Sequence, residues 1–175
     1  MVIEFKGDLK VNAVRLISAR DQTNVLRTFD GESHGSRLRF GDGKAPKAYV
    51  FEWSEPGDWI GWKIRLDQGA VFDVKLKYTT ASAANNGTYT VRIGGRVLKA
   101  TVQPTANENE QTTAVVGRVK LVPGEYVVEV RPQNIAGGEL MRLFHLELEP
   151  VDRTTGEGVK GKGRKIGTFA PSQDF

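Results

Sequence analysis

Three carboxylates crowd around one turn of the sequence, where Glu52, Glu55 and Asp58 flank Pro56-Gly57. Hydrolysis of a glycosidic bond uses two carboxyl groups across a cleft, about 5 Å apart in retaining enzymes and about 6.5–9.5 Å apart in inverting ones. Carboxylates grouped in a single loop give no sign of that arrangement, and a solvated acidic loop accounts for them. The cluster therefore does not predict a catalytic pair.

The two histidines, His34 and His145, are the next side chains with catalytic or metal-binding potential. They lie far apart and fit neither the HxH nor the HExxH spacing, so we expect surface or hydrogen-bonded roles for them. The sequence contains no nucleophile elbow, phosphate-binding loop or dinucleotide fingerprint. It contains no cysteine either, which excludes disulfides and thiolate metal sites. These features predict a protein that is not an enzyme and has no metal ligand set.

The three tryptophans lie close together and are candidates for sugar binding. An aromatic ring stacks on the apolar face of a pyranose, while amides and carboxylates bind its hydroxyl groups. Trp62 shares a face with aliphatic residues of its strand, which predicts a core position. Trp59 is out of phase with that face, so it either returns to the core through a bulge at Gly61 or is exposed for stacking. For Trp53, at a strand end, both positions stay open.

Two polar loops, at 81–87 and 104–111, supply amide and carboxylate groups that suit a ligand or a calcium ion. Turn formation and solvation explain most of these side chains. The groups that converge with Asn134 in this hypothesis are Asn85, Asn86, Asn107, Glu108, Asn109 and Glu110.

Short β-strands are the elements that must position these side chains. Residues 60–66 and 72–78 alternate between apolar and polar side chains on either side of a turn at 67–69. This period of two predicts a hairpin with one buried and one solvated face. A second hairpin is predicted around Gly94-Gly95. Further strand-like runs lie at 2–6, 11–17, 36–40, 115–121, 125–131 and 140–149, and 20–27 is the one helical candidate.

This pattern predicts an all-β fold, an antiparallel jelly-roll β-sandwich of about 8–10 strands. We assign the sandwich to residues 1–150 and a flexible basic tail or linker, rich in glycine and lysine, to residues 151–175. Val115, Val119 and Leu121 are expected to form one of these strands, and in the strand that follows Pro123-Gly124 we expect Tyr126, Val128 and Val130 to point inward.

The charge and hydrophobicity of the chain limit its partners. Half of the net charge of +4 belongs to the tail, and a nearly neutral body has no basic stripe to grip nucleic acid. No apolar run approaches the roughly 20 residues of a membrane helix, and the first residues do not resemble a secretory signal. Two interpretations follow: a cytoplasmic protein, or a module of a longer secreted chain. We expect neither a nucleic-acid nor a membrane partner.

Three segments in register resemble a known family of domains. They read SHGSRLRF at 33–40, WSEPGDWIGW at 53–62 and GGELMRL at 137–143. With Pro123-Gly124 they resemble the β-sandwich accessory domain C-terminal to the catalytic domain in many bacterial α-L-fucosidases and sulfatases. That domain is similar to galactose-binding-like carbohydrate-binding modules, and the resemblance covers about residues 30–150. It implies a noncatalytic, extracellular or periplasmic module that binds a polysaccharide or oligosaccharide and is covalently linked to a catalytic domain.

The resemblance also implies a place for the sugar, in a cleft at the loop end between two aromatic rings and beside an Asn or acidic residue. Glu52 stands where relatives have the first aromatic residue, and the loop corresponding to 104–112 has none. Asn134 corresponds to the polar partner. The predicted ligand-binding residues are Trp53, Trp59, Glu52, Asn134, Asn85 and Asn86.

Many relatives also hold a structural calcium ion with N-terminal acids and an Asp in the last strand. The corresponding stretch here reads Leu140-Met141-Arg142, so no cofactor is predicted. The missing aromatic pair leaves an alternative function open, that of a structural accessory domain that packs on its catalytic neighbour and binds no sugar.

Overall fold

The computed structural model describes residues 14–20 and 22–151, which form two stacked β-sheets. The strands are β1 (Arg15–Ile17), β2 (Asn24–Arg27), β3 (Glu32–His34), β4 (Arg39–Phe40), β5 (Val50–Phe51), β6 (Trp59–Leu66), β7 (Ala70–Thr79), β8 (Asn86–Ile93), β9 (Arg96–Thr101), β10 (Thr112–Leu121), β11 (Gly124–Ala136) and β12 (Arg142–Pro150). Sheet A has the strand order β1-β6-β11-β8-β9, with β3 also paired to β6, and sheet B has the order β10-β7-β12-β5-β4, with β2 also paired to β12.

The predicted β-sandwich is confirmed, and its core lies between the two sheets. Alternate residues of each strand point inward, as the period of two requires. The inward rows of β6 and β7 are buried throughout, and Leu26, Leu146 and Leu148 extend the core across sheet B. The buried residues of β6 and β7 are Ile60, Trp62, Ile64, Leu66, Phe72, Val74, Leu76 and Tyr78.

The predicted hairpin at 60–78 is wrong, although both of its strands are correct. β6 belongs to sheet A and pairs with β11, whereas β7 belongs to sheet B and pairs with β10 and β12. The turn at 67–69 therefore carries the chain from one sheet to the other. Alternation identifies the buried face of a strand but not its neighbour. The hairpin at Gly94-Gly95 is confirmed, with φ angles of 56° and 75° that suit a two-residue turn.

Three register shifts change the alternation within long strands. They lie between Val115 and Gly117 in β10, between Pro132 and Asn134 in β11, and between Leu143 and His145 in β12. One extra residue moves the side chains before it to the opposite face. Val115 is consequently 67% exposed, whereas Val119 and Leu121, at alternate positions of the same strand beyond the bulge, are buried.

The helical candidate at 20–27 is also wrong, since Asn24–Arg27 forms strand β2 against β12. Leu26 is buried in the core, and the Asn24 amide donates to the Leu148 carbonyl at 3.1 Å. Pairing with β12, rather than local helix propensity, thus determines the conformation of this short segment. The described strands pair antiparallel with one exception, the parallel pair of β1 and β6.

The tail at 151–175, apart from Val151, and the strands predicted at 2–6 and at the start of 11–17 lie outside the described residues. The described residues contain no helical segment with the length and hydropathy of a membrane span.

Candidate functional site

Trp53 is fully buried, with 0% of its surface exposed. Its indole N–H donates to the Asp58 carbonyl at 2.8 Å, and its own carbonyl accepts the Leu140 N–H at 2.9 Å. A ring with no exposed face cannot stack on a sugar. The structure therefore makes Trp53 a core residue that ties the 52–58 loop to the end of the 137–140 loop, rather than a stacking platform.

Trp59 lies on the outer face of sheet A, the second of the two positions that its phase allowed. The His34 ring on β3 stacks on it with the centroids 3.6 Å apart and the planes 8° apart. The Arg131 guanidinium on β11 lies 3.9 Å from the centre of the indole. Since β3 and β11 flank β6 on opposite sides, His34 and Arg131 cover opposite faces of the ring. Trp59 is half-buried, and neither of its faces is free for stacking.

The neighbours of Trp59 fix this three-layer stack. A Cβ at Gly61 would lie 2.8 Å from the indole, so only glycine lets the ring lie along the strand. Arg131 is oriented by Glu129, whose carboxylate accepts its Nε–H at 2.7 Å. This hydrogen bond, together with the nearby positive charge, holds the pKa of Glu129 below its usual value.

Asn85 is buried and serves the loop end as an internal support. Its amide donates to the carbonyls of Gly137 at 3.0 Å and Glu139 at 2.7 Å. Its carbonyl oxygen accepts the Ser82 N–H at 2.8 Å. With these groups engaged, Asn85 holds the 81–85 loop against the 137–140 loop, and its hydrogen bonds leave no free donor for a ligand.

Glu52 has a left-handed backbone, with φ of 58°, and is the one non-glycine residue with positive φ in the described part of the chain. Its N–H donates to the Glu139 carboxylate at 2.7 Å, and its own carboxylate lies 3.9 Å from the Arg39 guanidinium. Such a conformation costs about 1–3 kcal/mol and often occurs at functional sites. Glu52 is exposed and points away from the core.

Asn86 and Asn134 are exposed at the same end of sheet A, on the paired strands β8 and β11. Asn86 pairs with Ala136, and Asn134 pairs with Thr88, two residues further along β8. The structure thus joins Glu52, Trp53 and Asn85 through the 137–140 loop, places Asn86 and Asn134 on sheet A, and sets Trp59 apart in its stack.

Of the three acidic residues around Pro56-Gly57, one is buried and two are exposed. Asp58 is buried, and its carboxylate accepts the backbone N–H groups of Ser36, Arg37 and Leu38 at 2.9, 3.2 and 3.1 Å. A Cβ at Gly35 would lie only 1.9 Å from this carboxylate. Asp58 therefore anchors the 35–38 turn, whereas Glu52 and Glu55 face solvent. No carboxyl pair faces a cleft here.

A groove on the outer face of sheet B is the site that the sequence did not reveal. It has a volume of about 510 Å³, within the range of about 300–1,000 Å³ typical of small-molecule sites. It opens between the short 3-10 turn at Thr28–Asp30, the loop at 41–48 and the beginning of β10. We call it the sheet B groove. Its lining residues are Arg27, Phe29, Asp30, Gly43, Ala45, Ala48, Lys77, Gln111, Phe144 and His145.

Phe29 gives this groove an exposed aromatic ring, with 45% of its surface accessible. The preceding residue, Thr28, is buried and its hydroxyl donates to the Phe144 carbonyl at 3.2 Å, which fixes the turn on β12. Phe40 supports the Phe29 ring at 5.2 Å between centroids, in a tilted arrangement. A Cβ at Gly43 would lie 3.5 Å from the ring, at ordinary contact distance. The ring is therefore packed on one side and open on the other.

A row of basic side chains crosses the groove at a single level of the sheet. His145 of β12 pairs in register with Lys77 of β7 on one side and with Arg27 of β2 on the other. The next residues inward along these strands are buried leucines, so the three basic side chains share the outer face. The His145 ring also lies 3.0 Å from the Glu147 carboxylate.

The groove continues into a smaller cavity of about 70 Å³, which shares Gln111 and Phe144 with it. Tyr49 and Arg142 line this extension, and Arg142 donates to the Glu108 carboxylate at 2.9 Å. The one sequence signal for this site is an aromatic residue, Phe29, in an otherwise polar stretch.

The residues that correspond to the calcium site of similar domains do not fit a cation. Leu140 and Met141 are both fully buried, and Arg142 carries a positive charge. Among the described residues, no group of three or more His, Cys, Asp or Glu side chains is arranged to hold a metal ion. Calcium prefers a cage of six to eight oxygen ligands, which this stretch does not provide.

No family model matches the chain, and no curated protein matches it in sequence. Solved structures do match it in fold. A family 35 carbohydrate binding module from Clostridium thermocellum aligns with 73% of this chain and 97% of its own, with a TM-score of 0.59 and 15% identity.

Two larger proteins contain a similar domain. The GH26-CBM35 beta-(1,4)-mannanase of Podospora anserina aligns with 75% of this chain with a TM-score of 0.58 and 17% identity. The mosquito-larvicidal Cry4Aa toxin of Bacillus thuringiensis aligns with 82% of it with a TM-score of 0.62 and 13% identity. The chain spans only 28% of the mannanase and 26% of the toxin. At these identities the likeness establishes the jelly-roll β-sandwich fold that the chain shares with carbohydrate-binding modules.

Proposed function

We propose that the chain is a noncatalytic carbohydrate-binding module that targets a polysaccharide-degrading enzyme to its glycan. The observation that carries this proposal is the open face of Phe29 above the sheet B groove. An exposed aromatic ring beside charged and amide side chains is the arrangement that recognises a pyranose, whose faces are apolar and whose edge carries hydroxyl groups. Gln111 and Lys77 lie along the groove to bind those hydroxyls.

The likeness to a family 35 carbohydrate binding module and to a mannanase that contains one supports the same proposal. The sequence resemblance to accessory domains of fucosidases and sulfatases adds the expected context. In this proposal the module is extracellular or periplasmic, is covalently linked to a glycoside hydrolase or sulfatase, and binds a polysaccharide or oligosaccharide.

The loop end remains our proposed second contact for a longer glycan. Glu52, Asn86 and Asn134 are all exposed there. The amide side chains of Asn86 and Asn134 have no partner within the described residues. The tryptophans take a smaller part in this proposal than the sequence predicted, because Trp53 is buried and both faces of Trp59 are covered.

The alternative, a structural domain that docks on its catalytic neighbour, would use a continuous apolar surface. The exposed aliphatic residue Val127 on sheet A is followed and preceded on the same face by Glu129 and Glu125. Lys63 pairs with it in register. Val97, which is also exposed on sheet A, pairs with Arg92. Isolated valines among charges are an ordinary surface feature, which favours the sugar-binding function.

Affinity electrophoresis of the whole chain in gels containing mannan, galactan, fucoidan or polygalacturonate tests this function. We expect retention by at least one polymer, and a loss of about threefold to tenfold in affinity for Phe29→Ala, since an aromatic contact contributes about 0.5–1.5 kcal/mol beyond area burial. The control is Val115→Ala, an exposed position on the same sheet outside the groove. Retention by none of the polymers would reject the function. Equal effects of the two variants would reject the groove as the binding site.

A further inference from the structure

We propose that the sheet B groove selects an anionic saccharide, a pyranose that carries a carboxylate or sulfate group. This inference rests on the proposed function and names the ligand class of the same site. Its starting point is the row of Arg27, His145 and Lys77 across three neighbouring strands. With strands about 4.8 Å apart, the row is about 10 Å long.

Two of these basic groups have no counter-charge among the described residues. Within residues 14–20 and 22–151, no ion pair or hydrogen bond engages the Arg27 guanidinium or the Lys77 ammonium. Lys77 is also half-buried, whereas Arg27 is exposed. A partly desolvated cation such as Lys77 is costly unless an opposite charge approaches it. An anionic group of a ligand supplies that charge to Lys77 and offers Arg27 a partner, whereas a neutral sugar does neither.

The acids around the groove are already engaged. Asp30, which lines it, lies 3.1 Å from the Arg15 guanidinium. Glu147, one repeat along β12, lies 3.0 Å from the His145 ring nitrogen and interacts electrostatically with Lys75. Glu108 of the neighbouring cavity is paired with Arg142.

The loop that covers the groove adds positive charge. Lys44 and Lys47 both belong to it, and Lys47 lines the extension of the groove. The Asp42 carboxylate of the same loop accepts the Lys44 backbone N–H at 3.0 Å. In the described part of the chain, the groove therefore has two cations, Arg27 and Lys77, that are available to bind an anion.

The groove also has an apolar part beside its basic residues, which suits a sugar better than a bare anion. The aromatic rings of Phe29 and Phe144 and the small side chains of Ala45 and Ala48 form the apolar part of the groove. The basic row lies across the floor of the same cavity. A pyranose stacked on Phe29 therefore presents its edge, and an acidic substituent on it, to the cations.

The test compares two double variants with the same change in charge. Arg27→Gln with Lys77→Gln removes the free cations of the groove. Arg96→Gln with Lys120→Gln removes two exposed cations elsewhere, Lys120 being about 20 Å further along the sheet from the level of Lys77 at about 3.3 Å per residue. Binding of the whole chain to polygalacturonate, dextran sulfate and neutral dextran is measured by affinity electrophoresis at low and high salt.

We expect the groove variant to lose about tenfold in affinity for an anionic polymer, the effect of two partly exposed charge pairs, and the control variant to lose less than about twofold. Binding of the wild type should weaken with added salt. Retention by polygalacturonate alone identifies a carboxylate ligand, and retention by dextran sulfate alone identifies a sulfate ligand. Either result supports the inference.

Three results separate the failures. Equal losses in the two double variants would show nonspecific attraction and overturn the inference. Equal affinity for neutral and anionic polymers, with a loss only in Phe29→Ala, would leave the sugar-binding function standing and overturn the anion selectivity. Retention by none of the polymers would overturn both.

Discussion

The hydroxyl of Tyr89 has no hydrogen-bond partner in the described part of the protein, although the residue is 0% exposed. Tyr78 faces it from the other sheet and is buried to the same extent, but its hydroxyl accepts the Gln103 N–H at 2.9 Å and lies 3.3 Å from the Gln103 carbonyl. The same substitution, Tyr to Phe, therefore removes a costly group at one position and a useful group at the other.

The expected changes in stability have opposite signs. Burying a hydroxyl without a partner costs about 1–3 kcal/mol by protein mutational data, so Tyr89→Phe should raise the free energy of unfolding by about 1 kcal/mol. Tyr78→Phe leaves the Gln103 N–H without its acceptor and should lower the free energy of unfolding by about 1–3 kcal/mol. For a chain of this size, about 1 kcal/mol moves Tm by about 2–4 °C.

Urea denaturation followed by circular dichroism, together with calorimetry, measures both variants against the wild type. An unchanged m value ensures that the difference lies in stability rather than in the unfolded state. A Tyr89→Phe variant that is less stable than the wild type would refute the reasoning, because it would mean that the hydroxyl contributes a favourable interaction in the folded protein.

The remaining predictions concern pH, the turn that Asp58 anchors and the stack at Trp59. Burial raises the pKa of the Tyr89 hydroxyl well above its ordinary 10.0, so folding favours the protonated form. The stability that this preference contributes is complete below pH 10 and should fall as the pH rises further. A pH series of urea midpoints should therefore show a smaller alkaline loss of stability in Tyr89→Phe than in the wild type, and an identical loss would contradict this. Asp58→Asn should lose about 2 kcal/mol of stability in the same assay, because a charged acceptor of three N–H groups becomes neutral. Gly35→Ala should be destabilising by more than Gly95→Ala, since both have positive φ but only the first Cβ meets another group, at 1.9 Å; equal effects would rule out the clash. Arg131→Ala should uncover one face of the indole of Trp59 and increase quenching of its fluorescence by acrylamide, while unchanged quenching would show that the guanidinium does not cover the ring.

Local alternation was sufficient to predict the strands and most of their buried faces. It identified the inward rows of β6 and β7 because each strand meets the core with a strict period of two. It did not reveal that these strands lie in different sheets, since the partner of a strand depends on residues far along the chain. Alternation alone also does not show that Val115 faces away from Val119 and Leu121, because the bulge before Gly117 reverses the phase and no glycine signal alone distinguishes a bulge from a turn.

The candidate site was harder to predict for the same reason. The phase of Trp59 correctly left an outer-face position open, but the groups that cover it, His34 and Arg131, come from strands that only the fold brings together. The sheet B groove likewise combines Phe29 with Phe144, which are more than a hundred residues apart in the sequence. Binding surfaces of this kind have no short motif.

The position of β12 at the centre of sheet B bears on how the protein is made. This strand pairs with β7, β5 and β2, all of which leave the ribosome before it. Until residues 142–150 emerge, the growing chain carries strands with unpaired edges and exposed leucines that nothing nearby can cover. Sheet B therefore closes late in synthesis, and a chain shortened before Arg142 should accumulate as an aggregation-prone species rather than as a smaller folded domain.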